Sequence, residues 1–186
     1  MRLVTFAASN SRSSINRALI EYAIERLRAG ILPGAEVETL DLNDYEMPIY
    51  SVDRERQNGI PTPAQNFFDH IGAADAILVS FAEHNGSVTA AWKNIFDWMS
   101  RIDMKVFQGK PMVILAASPG GRAGAGVLTN QEMLLPHFGG QIVAKLGIGK
   151  WAEAWDAEAQ ALTRPEDITA LTRALTALRP NPSDQE

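Results

Sequence analysis

The sequence predicts an α/β protein built on a doubly wound, five-stranded parallel sheet in the order 2-1-3-4-5, with helices on both faces. Three observations point there. Short apolar runs alternate along the chain with segments of helical periodicity, the pattern of βαβ units. The runs number five, short of the roughly eight that a closed barrel needs. With 186 residues the chain suits one well-packed domain and is too short for two comfortable ones. That domain is placed at residues 1–178, with 179–186 as a frayed polar tail.

Taken in order, the run from Leu3 to Ala8 reads as a buried strand followed by a polar loop. Ile15, Leu19, Tyr22, Ala23, Arg26 and Leu27 then form one stripe at helical spacing, stopped at Gly30. Glu36 to Leu42 alternates as a second strand. Asp44 to Pro63, with Pro48, Gly59, Pro61 and Pro63, reads as a long surface loop, a kind often functional. A short helix over Ala64 to Ile71 leads to the strand Ala76 to Phe81. Val88, Trp92, Ile95, Phe96 and Met99 share a helical face, with Ser87 placed to cap it. Met112 to Ala117 is the fourth strand, Val127 to His137 a helix, and Gln141 to Leu146 the fifth strand. Gly147 to Gln160 shows no period. Thr163 to Glu166 has the form of a capping box ahead of a last stripe, Ile168, Leu171, Leu175 and Leu178.

Composition narrows the function. Hydrophobic residues make up 46% and charged residues 21% of the chain, the balance of a globular protein. A formal charge of −5, with scattered Lys and Arg, argues against a nucleic-acid footprint. The absence of cysteine removes disulfides, iron–sulfur clusters and thiol nucleophiles, so any redox chemistry must come from a bound cofactor. His70, His84 and His137 have no ligand spacing, so no metal site is expected. The N-terminal run lacks the length and flanks of a signal peptide, and no stretch approaches a membrane span. A cytoplasmic protein is expected.

In the 2-1-3-4-5 order, ligands bind at the carboxyl ends of strands 1, 3 and 4, which directs attention to three loops. The first, Ala8 to Asn16, crowds Ser9, Ser11, Arg12, Ser13 and Ser14 in front of a helix start. Free N–H groups, the helix dipole, hydroxyls and a guanidinium together favour a phosphate there. An ordinary N-cap at Ser13 or Ser14 is the plainer alternative. No G-x-G-x-x-G follows the first strand and no P-loop is present, so a mononucleotide is favoured over a dinucleotide. The second loop, Ala82-Glu83-His84-Asn85-Gly86-Ser87, offers backbone to the edge of a flat heterocycle, or is a simple turn at Asn85-Gly86. In the third, Ser118-Pro119-Gly120-Gly121-Arg122, the glycines permit close approach of a ligand.

With these loops the chain resembles the NADPH-dependent FMN reductase family of the flavodoxin-like superfamily, which includes quinone, azo-dye and chromate reductases. The resemblance runs over about residues 1–178 and is most specific from Glu83 to Trp98, through Asn85-Gly86-Ser87 and Lys93-Asn94-Ile95-Phe96-Asp97-Trp98. In the first loop Ser9, Ser14, Asn16 and Arg17 match, with Ala8 in place of glycine. The resemblance implies that Ser9, Ser11, Arg12, Ser14 and Asn16 surround the FMN phosphate. It implies likewise that Ala82, Glu83, His84, Asn85 and Gly86 lie along the ribityl chain and ring, with Ala82 for proline and His84 for tyrosine. Ser118, Pro119, Gly120 and Gly121 would lie near the ring, and Met47-Pro48-Ile49-Tyr50 with Asp53 resembles a segment that reaches a neighbouring subunit's flavin.

The implied function is hydride transfer from NAD(P)H to bound FMN and on to a small electron acceptor: a quinone, free flavin, azo compound or metal oxyanion. No catalytic amino acid is needed, because the flavin carries the chemistry. A homodimer or homotetramer is implied, with neither nucleic acid nor membrane as partner. Two other readings share the fold. One is a flavodoxin-type electron carrier, disfavoured by the dispersal of acidic residues among basic ones. The other is a flavin-binding module without turnover.

Overall fold

A computed structural model describes residues 1–180. Its main sheet comprises β1 (Arg2–Ala8), β2 (Glu36–Leu40), β3 (Ala76–Phe81), β4 (Pro111–Ala117) and β5 (Gln141–Ile148). The strands lie in the order β2-β1-β3-β4-β5, every pair parallel, as expected. The central strands β1, β3 and β4 are buried along nearly their whole length because both faces are covered. Val4, Phe6, Ile77 and Ile114 belong to one core; Leu3, Leu78, Val113 and Leu115 belong to the other. The first core packs under α3 (Thr62–Ala73), α4 (Ala90–Ile102) and α5 (Ala125–Leu134). The second packs under α1 (Ile15–Arg26) and α7 (Pro165–Thr176).

Several boundaries differ from expectation, each for a local reason. α1 ends in a π-turn over Leu27–Ile31 that Leu32 N–H closes onto the Leu27 carbonyl. β2 stops at Leu40 because the Asp41 carboxylate accepts the Asn43 N–H at 3.0 Å and caps a 3-10 turn over Leu42–Tyr45. The Asp44–Pro63 stretch is not simply a loop: it contains α2 (Val52–Asn58), capped by Ser51 and ended by Gly59 at φ 72°. None of the α2 residues is buried, so it carries no apolar stripe to show in the sequence. After α5 a 3-10 turn, Leu135–Phe138, takes over where Pro136 has no N–H to continue the helix.

The region without period holds α6 (Trp151–Ala154) and an antiparallel pair, β6 (Trp155–Asp156) with β7 (Ala161–Leu162), all too short for periodicity. The expected capping box at Thr163 does not form. Thr163 Oγ1 donates instead to the Glu153 carbonyl at 3.1 Å, and Arg164 occupies the cap of α7. Leu178 is buried, and Arg179 Nε donates to the Ile31 carbonyl at 3.0 Å, so the body of the fold reaches one residue past the expected boundary. Of the expected tail, residues 181–186 lie outside the described residues. No helix among the described residues is long and apolar enough to cross a membrane.

Candidate functional site

The first loop leaves β1 at Ala8 and turns into α1 at Ile15. Ser9 is 6% exposed, and its Oγ accepts the Ser11 N–H at 3.2 Å. Ser14 is the N-cap of α1 and accepts the Asn16 N–H at 3.2 Å. The plainer capping role is therefore real, yet each hydroxyl keeps its own O–H to donate. Among the described residues, the backbone N–H groups of Asn10, Arg12, Ser13 and Ile15 meet no protein acceptor. Arg12 is exposed and makes no ion pair among the same residues. Unengaged N–H groups at a helix start, beside hydroxyls and a guanidinium, make a site for an anion.

Asn16, of the expected set, turns elsewhere, as does the motif residue Arg17. Asn16 is 2% exposed and bonds inward to Ser80 and Ala117, so its side chain is not part of the loop's open donor array. Arg17 pairs with Asp41. Burial pushes the Asp41 carboxyl up, but the Asn43 amides and the Arg17 guanidinium outweigh it and hold it below the usual carboxylate range.

In the second loop, His84 and Ser87 exchange backbone hydrogen bonds of 2.8 and 3.1 Å across Asn85 (φ 53°) and Gly86 (φ 79°). That is a two-residue tight turn, and the positive φ at both central positions accounts for Asn-Gly. It leaves His84, Asn85 and Gly86 exposed at the tip above buried Ala82. Ser87 does not cap α4. Thr89 does, accepting the Trp92 N–H at 3.2 Å, and it also donates to the Ala8 carbonyl at 3.0 Å. Thr89 thus ties the second loop to the end of β1. The Glu83 carboxylate points away from the tip: it accepts the Val127 N–H at 3.1 Å and sits against Gly126, capping α5, whose N-cap Gly124 has no side chain to do so.

The third loop is held from below. Ser118 N–H donates to the Ile148 carbonyl, Lys150 N–H to Gly120 and Trp151 N–H to Ser118, at 3.0 to 3.2 Å. A Cβ at Gly147 would stand 2.1 Å from the Ala123 carbonyl oxygen, so only glycine lets β5 approach this closely. On the loop's outer side Gly120 and Gly121 face open space within 4 Å. Neither has a positive φ, so the protein's own packing does not demand glycine at either position.

The carboxyl ends of β1, β3 and β4 bring the three loops to one edge of the sheet. Beside them opens a cleft of about 260 Å³ lined by Asn10, Leu42, Tyr45, Met47, Ala90 and Asn94, among others. A second, of about 540 Å³, lies past the turn, with His84, Asn85, Lys93 and Gln131 in its wall. Sequence reasoning missed the first cleft's own-chain wall. The Met47–Tyr50 stretch is clamped to α4: Asn94 Oδ1 accepts Tyr50 N–H at 2.8 Å, Asn94 Nδ2 donates to the Met47 and Pro48 carbonyls at 3.2 Å, and Trp98 Nε1 donates to Pro48 at 2.7 Å. Asn94 and Trp98 were visible as motif residues, but contacts to backbone this far away leave no trace in local pattern.

Fold and site together define a class: a flavodoxin-like α/β protein with unengaged donors in its first loop and a glycine-rimmed sheet edge. Residues 1–153 match the NADPH-dependent FMN reductase family, and the chain belongs to that family. An NAD(P)H-dependent FMN reductase of Pseudomonas aeruginosa is 34% identical over 121 residues, covering 64% of this chain and 61% of that protein. The match thus spans under two thirds of that relative's length. A quinone reductase of Escherichia coli is 26% identical over 149 residues, 78% of this chain and 74% of its own. The structure of FerB, a flavoenzyme NAD(P)H:(acceptor) oxidoreductase from Paracoccus denitrificans, superposes with a TM-score of 0.76 at 25% identity, covering 95% of this chain and 94% of that one.

Proposed function

We propose that this protein is an NAD(P)H-dependent FMN reductase that passes electrons to a small acceptor of the quinone or azo type. The observation that carries the reading is the convergence of an anion site and a glycine-rimmed edge at the ends of β1, β3 and β4. The residues present fit a flavin mononucleotide. Ser9, Ser11, Arg12 and Ser14, with the unengaged N–H groups of the first loop, hold the phosphate. Ala82, His84, Asn85 and Gly86 flank the ribityl chain and ring, and Ser118, Pro119, Gly120 and Gly121 border its edge. When bound, the flavin supplies hydride and electron transfer.

The chain's own contribution is binding and orientation. The N–H groups of Asn85 and Gly86, at the turn tip, meet no protein acceptor among the described residues and would be free to stabilise negative charge on a ring held beside the turn. His84, Asn85 and Lys93 line the second cleft, the space beside the turn that a nicotinamide or an acceptor would enter. Ile49, 75% exposed, lines the first cleft, and Val52, three residues further on, is 49% exposed; this apolar exposure favours a homodimer or homotetramer that covers it. The reading carries a cytoplasmic location, where NAD(P)H is supplied.

Steady-state kinetics test it. FMN-loaded protein should oxidise NADPH or NADH in the presence of a quinone, with the parallel double-reciprocal lines of a ping-pong scheme. Absence of turnover with either nucleotide, with a quinone and with an azo dye alike, contradicts the reading and favours a carrier or binding module.

A further inference from the structure

We propose that Asn16 is a positioning residue that ties the placement of the third loop to the first, and not a phosphate ligand. The inference deepens the proposed function and rests on it for the identity of the ligand. The β3–β4 ladder ends where Ser80 pairs with Leu115, two residues before β4 itself ends at Ala117. The Asn16 carboxamide stands in for the missing strand. Its Oδ1 accepts the Ala117 N–H at 2.8 Å, and its Nδ2 donates to the Ala117 carbonyl at 3.2 Å. Ser80 Oγ donates to the same Oδ1 at 2.7 Å, so one planar group satisfies three buried partners on two strands.

The chemistry singles out asparagine. A primary amide presents a donor and an acceptor side by side, as a peptide group does. An aspartate would set a buried charge against the Ala117 carbonyl, and an apolar residue would leave Ala117 and Ser80 unpaired. Asn16 lies two residues past Ser14, in the first turn of α1 beneath the anion site. Ala117 is the residue from which the third loop departs at Ser118. The backbone N–H of Asn16 is taken by Ser14 Oγ at 3.2 Å, and the Asn16 side chain is sealed from solvent at 2% exposure. Asn16 therefore acts on the ligand through Ala117: from the first turn of α1 it holds the point at which the ring-bordering loop departs, whether or not a phosphate is present.

The test compares wild-type and Asn16→Ala proteins in two ways. Amide hydrogen exchange of residues 117–125 in the flavin-free proteins should be about tenfold faster in the variant. FMN and riboflavin, which differ only in the phosphate, should both bind about tenfold more weakly, by the same factor. Exchange unchanged across 118–125, or loss of FMN affinity with riboflavin unaffected, overturns the proposal and restores the phosphate-ligand role. Should Asn16→Ala not fold, Ser80→Ala removes only the hydroxyl that orients Oδ1 and should give the same pattern at smaller size; no change in it overturns the proposal. Wild-type protein that binds neither flavin contradicts the proposed function, and the exchange comparison still decides the linkage.

Discussion

Arg12 and Glu83 show how side chains of similar expectation part: one makes no ion pair among the described residues, the other braces a helix. Arg12 projects from the anion loop with no carboxylate partner among the described residues. A charge-assisted bond to phosphate contributes about 1.5–3 kcal/mol, so Arg12→Ala should weaken FMN about ten- to a hundredfold. Riboflavin should bind unchanged; fluorescence titration with both flavins reads the difference. Glu83 supports α5 through Val127 N–H. Losing a helix cap costs about 1 kcal/mol, so Glu83→Ala should lower stability by that amount in urea denaturation. Glu83→Gln, which keeps an acceptor oxygen, should recover most of it. The sequence marks both residues as loop polar groups of a binding site and cannot separate them. Serine, asparagine and glutamate cap helices, brace backbones and hold ligands with the same atoms, and only the partner's position tells which.

At the scale of elements, what could be read depended on whether burial left a periodic trace. β1, β3 and β4 were legible as short runs buried between two helical layers, and the half-buried edge strands β2 and β5 by their alternation of buried and exposed positions. α2 was not, since none of its residues is buried, although Ser51 and Gly59 marked its ends. The packing of Met47–Tyr50 on α4 was invisible for another reason: side-chain amide and indole groups reach backbone carbonyls more than forty positions away. That clamp makes a prediction. Asn94→Ala removes three hydrogen bonds from the wall of the first cleft. It should destabilise the protein by about 1–3 kcal/mol and speed amide exchange at Tyr50. A stability unchanged in thermal denaturation would mean the wall is held chiefly by Trp98 and its edge-on contact with Tyr50 at 5.0 Å.

Over the whole molecule, acid stability follows from carboxylates held below their usual range. Glu38 is pushed up by burial, but Arg2 and His70, both bonded to it, more than offset this. Asp41 is lowered by Asn43 and Arg17 against the same opposing burial. Glu55 is lowered first by its hydrogen bond from Arg101 and then by that from Tyr50. Because each folded-state value lies below the unfolded one near 4, their stabilisation is complete above about pH 5. It drains away as pH falls through the lowered values. The melting temperature should therefore drop from pH 5 to pH 3, and Asp41→Asn should flatten that drop. The same three loops, two cores and one sheet edge carry the central claim, that a flavin bound here takes hydride from a nicotinamide nucleotide. The most direct test is an absorbance spectrum of the purified protein after adding FMN and desalting, repeated after anaerobic addition of NADPH and then NADH. The account predicts a flavin that stays with the protein and loses its visible absorbance with at least one nucleotide; a retained flavin that neither nucleotide bleaches, or none retained, would contradict it.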